Sequence, residues 1–217
     1  MALLMSAGYF PPVRDLFYRE FVDGVTSVES FVASQLLVEL PLTVAGLAIF
    51  MVMFCTGLGL ALGFGADFAI TLFVLTCFSI FGKSMGFAIL TIIDNLGMGL
   101  VVASSINVVA VVLSGIGAQS PPAWIAAINN ANPLKWGIGA LTYLQFREAT
   151  YTCDPAVPGQ AYPNGTCIVT SGQQVLQTLS LQDVNVGMSI GICAAISVAS
   201  RLIYYGLLKF KLNRMVS

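Results

Sequence analysis

Long uncharged runs alternate with short charged punctuation along this chain. From Leu40 to Ala66 no residue is charged, and the stretch between Asp67 and Asp94 holds Lys83 alone. Asn95 to Leu134 is uncharged, although Pro121 and Pro122 break it, and Val184 to Leu208 carries only Arg201. Crossing the hydrocarbon core takes about 20 apolar residues in a helix. The pattern therefore predicts four full spans, at 30–60, 68–93, 96–116 and 184–208. Apolar positions surround these helices rather than forming one stripe, as expected where lipid and neighbouring helices are both apolar. Small residues recur inside them, as at Gly57, Gly59 and Gly63 or Gly82 and Gly86, a spacing that lets helix backbones approach closely. The expected fold is all-α, a polytopic membrane helix bundle.

The segments between the spans complete the outline. Residues 1–11 are too short to cross and read as a free start or as the end of a preceding span. Residues 12–27 suit an amphipathic helix whose charges are Arg14, Asp15, Arg19, Glu20 and Asp23. Arg14 and Arg19 precede the first span, and Lys209, Lys211 and Arg214 follow the last. Basic flanks mark the cytosolic side, so both ends, including the tail 209–217, are expected in the cytosol and residues 117–183 outside.

That outer segment contains the sequon Asn164-Gly165-Thr166, bracketed by Cys153 and Cys167, while Cys55, Cys77 and Cys193 lie in spans. Glycosylation of Asn164 requires the lumenal side, and an oxidising compartment favours a Cys153–Cys167 disulfide. Two short helices are also expected there, one opening at Pro121-Pro122-Ala123-Trp124 and one near Leu134 to Glu148 with Trp136, Tyr143 and Phe146. Proline suits a first helical turn and tryptophan the membrane interface, so these read as re-entrant or interfacial.

Composition narrows the functional classes. Only 9% of residues are charged and 57% are hydrophobic, with mean hydropathy +0.88, against about 25% charged in soluble domains. The net charge is −1 without a basic tract, so nucleic acid is not an expected partner. The chain has no histidine, which removes His-dependent triads and His-bearing zinc sites.

The order of these pieces resembles the transmembrane domain of G-subfamily ABC transporters, the half-transporters and pleiotropic drug resistance pumps. Leu16-Phe17-Tyr18-Arg19-Glu20 is similar to the family's coupling segment, and Val28-Glu29-Ser30-Phe31 through Val38-Glu39-Leu40-Pro41-Leu42 to its span with an internal Glu-x-Pro. Ser114-Gly115 ends a span as in the family. Pro122-Ala123-Trp124, Asn132-Pro133 and Leu144-Gln145-Phe146 resemble its re-entrant helices, and Gly172 with Arg201-Leu202-Ile203-Tyr204-Tyr205 its last loop and span. The chain departs from the family at Val13, where an acid is usual, at Asn132, where serine is usual, and at Lys83 inside a span. It has no P-loop, Walker acidic strand or signature loop, and it lacks counterparts of the first span and most of the second. It is accordingly expected to be a fragment of a longer polypeptide.

The resemblance implies a permease that works as a dimer, with lipid around it and substrate between two such permeases. ATP and Mg²⁺ are expected on a nucleotide-binding domain and no cofactor in this chain. Val101, Ser104, Val108 and Val111 share one helix face that would border a substrate cavity for lipids, sterols or amphipathic drugs; the same stripe equally suits ordinary helix packing. Ile116 and Gly117 take the place of the family's gate pair. Arg14, Phe17, Arg19 and Glu20 would couple the permease to the motor domain, or the helix carrying them would simply lie in the interface. Glu39, Lys83 and Arg201 are the intramembrane polar residues, functional by default. Glu39 is expected to pair with Arg201 or Lys83 or to reach water, and Lys83 to mark a polar path, pair structurally or snorkel. The resemblance places the protein in the plasma membrane. A stand-alone four-span channel or scaffold and a membrane-embedded enzyme are the rival readings.

Overall fold

A computed structural model describes residues 2–58, 65–114, 123–130, 132–150, 171–179, 181–182 and 184–216. Among them are eight helices and no strand. These are α1 (Ala2–Val22), α2 (Val28–Leu58), α3 (Ala66–Ile92), α4 (Leu96–Leu113), α5 (Ala123–Asn130), α6 (Pro133–Phe146), α7 (Gly172–Thr178) and α8 (Val186–Val216). An isolated antiparallel bridge joins Thr150 to Ser171.

Four helices are long and apolar enough to cross a membrane: Val28–Gly57, Ala66–Ile92, Leu96–Leu113 and Val186–Met215. They correspond to the four expected spans. α8 continues past residue 208 to Val216. At 1.5 Å per residue its 31 residues reach roughly 46 Å, well beyond a hydrocarbon core of about 30 Å. Its last turns carry Lys209, Lys211 and Arg214, cations that suit a helix C-terminus.

The N-terminal region differs from expectation. Residues 2–22 form one helix with Pro11 and Pro12 in its interior, and that helix stops at Val22 instead of continuing to residue 27. Gly24 explains the stop. It takes φ 72°, a conformation open to glycine at little cost. The Gly24 amide donates to Phe21 O at 3.1 Å and the Val25 amide to Glu20 O at 2.9 Å, the paired bonds of a Schellman ending. Ser27 then caps α2, its Oγ accepting from the Ser30 amide at 3.3 Å.

The packed centre lies where α1, α3 and α8 meet. Phe10 and Phe17 of α1, Phe87 and Leu90 of α3, and Tyr204, Leu208 and Leu212 of α8 form one buried cluster. Phe10 stacks on Phe87 with centroids 4.6 Å apart. In lipid the apolar surface of a helix gains nothing by leaving the solvent, so packing and hydrogen bonds hold such helices together. The α3–α8 contact shows both. Small residues of α3, Ser84, Gly86 and Ala88, are buried in the bundle, α3 and α8 pack along each other, and Ser197 Oγ donates to Cys77 O at 2.9 Å.

α5 and α6 form a short helical hairpin. Asn132 caps α6 by accepting from the Leu134 amide at 3.1 Å, with Pro133 in the first turn. Its Nδ2 also donates to Ala110 O on α4 at 2.7 Å. Pro133 O accepts from Cys193 Sγ at 3.5 Å. Gly137 packs so closely on Phe78 and Val74 that a Cβ there would collide with the Phe78 ring. The other end of α6 returns to the start of α3, where Arg147 Nη2 lies 3.0 Å from Asp67 Oδ2.

Candidate functional site

Two layers of polar chemistry cross the bundle. The first is at the turn between α3 and α4. The last carbonyls of a helix have no partner within it, and here two cations supply them. Arg14 of α1 donates through Nη1 to Leu90 O at 2.6 Å, and Lys211 of α8 donates to Thr91 O at 2.7 Å. Lys211 also bonds Asp94 Oδ1 at 2.7 Å, and Arg14 lies 3.6 Å from the same oxygen. The Lys211 hydrogen bond, aided by both cations, holds the Asp94 carboxyl below its usual range. Both cations also sit over the Tyr18 ring. Burial pushes the Tyr18 hydroxyl up to about 12.

Arg14 is therefore not part of an exposed charged face. It is 6% exposed, and Phe17 is 1% exposed beside it. These two turn inward and fix α1 to α3 and α8. Arg19 and Asp23 remain exposed and Glu20 half-buried, on a helix that also exposes Val13, Leu16 and Val22.

The second layer lies deeper. Arg201 of α8 reaches Glu39 of α2, Nη2 to Oε2 3.5 Å, with side chains 11% and 14% exposed. Glu39 Oε1 accepts from the Tyr9 hydroxyl. The guanidinium also lies over the rings of Phe87 and Tyr204, at 5.4 and 5.6 Å, a contact worth more once desolvated. Of the alternatives open for Glu39, the structure realises the pairing with Arg201. Lys83 turns instead to α2, its Nζ donating to Thr43 Oγ1 at 2.7 Å.

Above that layer opens a cleft of about 850 Å³. α2 and α4 flank it and α3 forms its floor, with Tyr9 at one end and Leu134 of α6 at the other. Leu42, Leu47, Leu75, Phe78 and Ile106 give it an apolar wall, and Lys83, Thr43, Ser79 and Asn107 are its polar points. A volume of 300–1,000 Å³ with an apolar lining and few polar groups is that of a small-molecule site.

The four α4 residues expected at a cavity are placed unequally. Val111 lines the cleft. Val101 and Val108 are 66% and 62% exposed and face away from the bundle. Ser104 bonds its own helix at Leu100 O, 2.7 Å. Ile106, Asn107 and Ala110 are the α4 residues that join Val111 at the wall. Ile116, Gly117, Cys153, Asn164 and Cys167 lie outside the described residues, and Cys55, Cys77 and Cys193 are free. Among the described residues no group of three or more His, Cys, Asp or Glu could hold a metal ion.

Tyr9, Thr43 and Asn132 were not legible as site residues from their spacing. Asn132-Pro133 did carry a signal, because an asparagine before a first-turn proline is a helix cap. Its second bond, to α4, carried none.

Residues 1–146 match the profile of the ABC-2 type transporter family. Over 218 aligned residues the chain is also 26% identical to an uncharacterized ABC transporter ATP-binding protein/permease of Saccharomyces cerevisiae. That alignment covers 98% of this chain and 16% of the yeast protein's length.

Proposed function

The chain belongs to the ABC-2 type transporter family, and from that premise we propose that it is the permease part of an ATP-driven exporter of the G-subfamily kind. Its cargo is a lipid, sterol or amphipathic xenobiotic. The observation that carries this reading is the cleft between α2, α3 and α4, whose wall is apolar apart from Thr43, Ser79, Lys83, Asn107 and the Tyr9 hydroxyl at one end. Such a wall selects by shape and desolvation. It offers an ion or a sugar too few polar partners to replace its water.

ATP and Mg²⁺ act on a nucleotide-binding domain, which these residues do not contain, and α1 passes the motion on. Arg19, Glu20 and Asp23 supply its docking charges, while Arg14 and Phe17 root the helix on α3. A displacement of α1 then reaches the α3–α4 turn through Arg14. A second permease faces the outward side of α4, where Val101 and Val108 are exposed. In the plasma membrane both ends lie in the cytosol, and the loop with Asn164 and the Cys153–Cys167 disulfide lies outside. The course of α5 and α6 supports a re-entrant hairpin. Their turn lies beside Ala110 and Cys193, and α6 returns to the outer end of α3 at Asp67.

The test is transport by the full-length polypeptide reconstituted in proteoliposomes. ATP-dependent movement of a fluorescent amphipath against its gradient is expected. Flux that is equal with and without ATP would assign the chain to a channel instead.

A further inference from the structure

We propose that the cleft selects amphipaths bearing an anionic headgroup, a carboxylate, sulfate or phosphate, and that Lys83 binds that group. The inference rests on the cleft being the cargo site.

Three charges stand in the interior of the spans: Glu39, Lys83 and Arg201. Glu39 and Arg201 face each other and cancel. Lys83 is left over. Among the described residues no carboxylate lies within 4.0 Å of its ammonium. Its partner is the neutral hydroxyl of Thr43, which takes one of the three donors an ammonium carries. One helical turn before Thr43 stands Glu39, already engaged by Tyr9 and Arg201.

Snorkelling does not relieve the charge. Lys83 is roughly 14 Å from the nearer end of α3 at 1.5 Å per residue, beyond the reach of its stem. The side chain crosses sideways to α2 instead of running along α3. A charge held in apolar surroundings is costly unless it is paired. An anion entering the cleft supplies the missing charge, and Ser79 of α3 and Asn107 of α4 are further polar side chains of its lining. A cationic headgroup would meet Lys83 as a like charge. The rest of the wall takes the apolar body.

The experiment uses the full-length polypeptide in phosphatidylcholine nanodiscs. Its probes are dansyl-undecanoic acid and the methyl ester of the same compound. The wild type is expected to bind the acid about tenfold tighter than the ester, the worth of one charged hydrogen bond. Lys83→Met should erase that preference while still binding the ester, and Lys83→Arg should keep it. Equal binding of acid and ester by the wild type, or a preference that survives Lys83→Met, overturns the proposal. Gly46→Trp separates the two levels, because the space beside Gly46 is open and a bulky ring would fill the cleft. Loss of both probes in that variant upholds the cleft as their site, so a missing acid preference then refutes the headgroup inference alone. Unchanged binding of both refutes the cleft reading, and this proposal with it.

Discussion

Arg201 and Glu39 stand on helices that are far apart in the sequence, and their side chains meet in the interior of the bundle at 3.5 Å. Removing one member of such a pair leaves an unpaired charge, at a cost of roughly 3–5 kcal/mol. Replacing both by neutral groups of similar shape is often tolerated. Glu39→Gln and Arg201→Met should each lower the melting temperature in detergent, and the double variant should recover most of the loss. Additive losses would show that the two side chains act independently.

The turn between α3 and α4 predicts a pH signature. Asp94 is held below its ordinary value, first by the Lys211 hydrogen bond. A carboxylate depressed in this way stabilises the fold above its unfolded value of 3.8 and loses that contribution as pH falls through the folded value. The stability gap between wild type and Asp94→Asn should therefore be constant from neutral pH down to mild acid. It should close only below about pH 4. Thermal unfolding in detergent across that range measures it, and a gap that closes near pH 6 would implicate another group.

Gly137 sets how deeply α6 seats on α3. Gly137→Ala should cost about 1–3 kcal/mol by overpacking, because the new methyl meets the Phe78 ring. Phe78→Leu in the same molecule should return part of it. Melting temperatures of the two variants test the contact, and an unaffected Gly137→Ala would place α6 further from α3.

The proposed placement of Asn164 outside the cell predicts a modification. Glycosidase treatment of the protein from a eukaryotic membrane should shift its mobility on a gel, and Asn164→Gln should abolish that shift. Labelling of Cys153 in intact cells after reduction should exceed labelling before it. A loop reached only after permeabilisation would reverse the topology.

The spans were legible because charge is expensive in lipid, so uncharged runs mark them almost by themselves. With three charges inside them, the Glu39–Arg201 pair was also within reach. Rotation was not legible. α4 is apolar on most sides, and such a helix carries no moment to say which side meets which neighbour; that Ile106 and Ala110 line the cleft within this chain therefore could not be read from the sequence. The end of α1 was missed for another reason. Asp23-Gly24 is a turn signal that a run of charged and apolar residues on either side obscured. Arg14 was grouped with the other charges of an amphipathic helix, yet the open carbonyls of α3 gave it a buried partner.

The central claim is that cargo sits between α2, α3 and α4. A photoactivatable amphipath, crosslinked to the full-length polypeptide in nanodiscs and mapped by mass spectrometry, tests it directly. Adducts that excess unlabelled probe suppresses should fall on Leu47, Phe78 and Ile106. Suppressible adducts confined to outward-facing residues such as Leu37, Met53 and Val198 would contradict it.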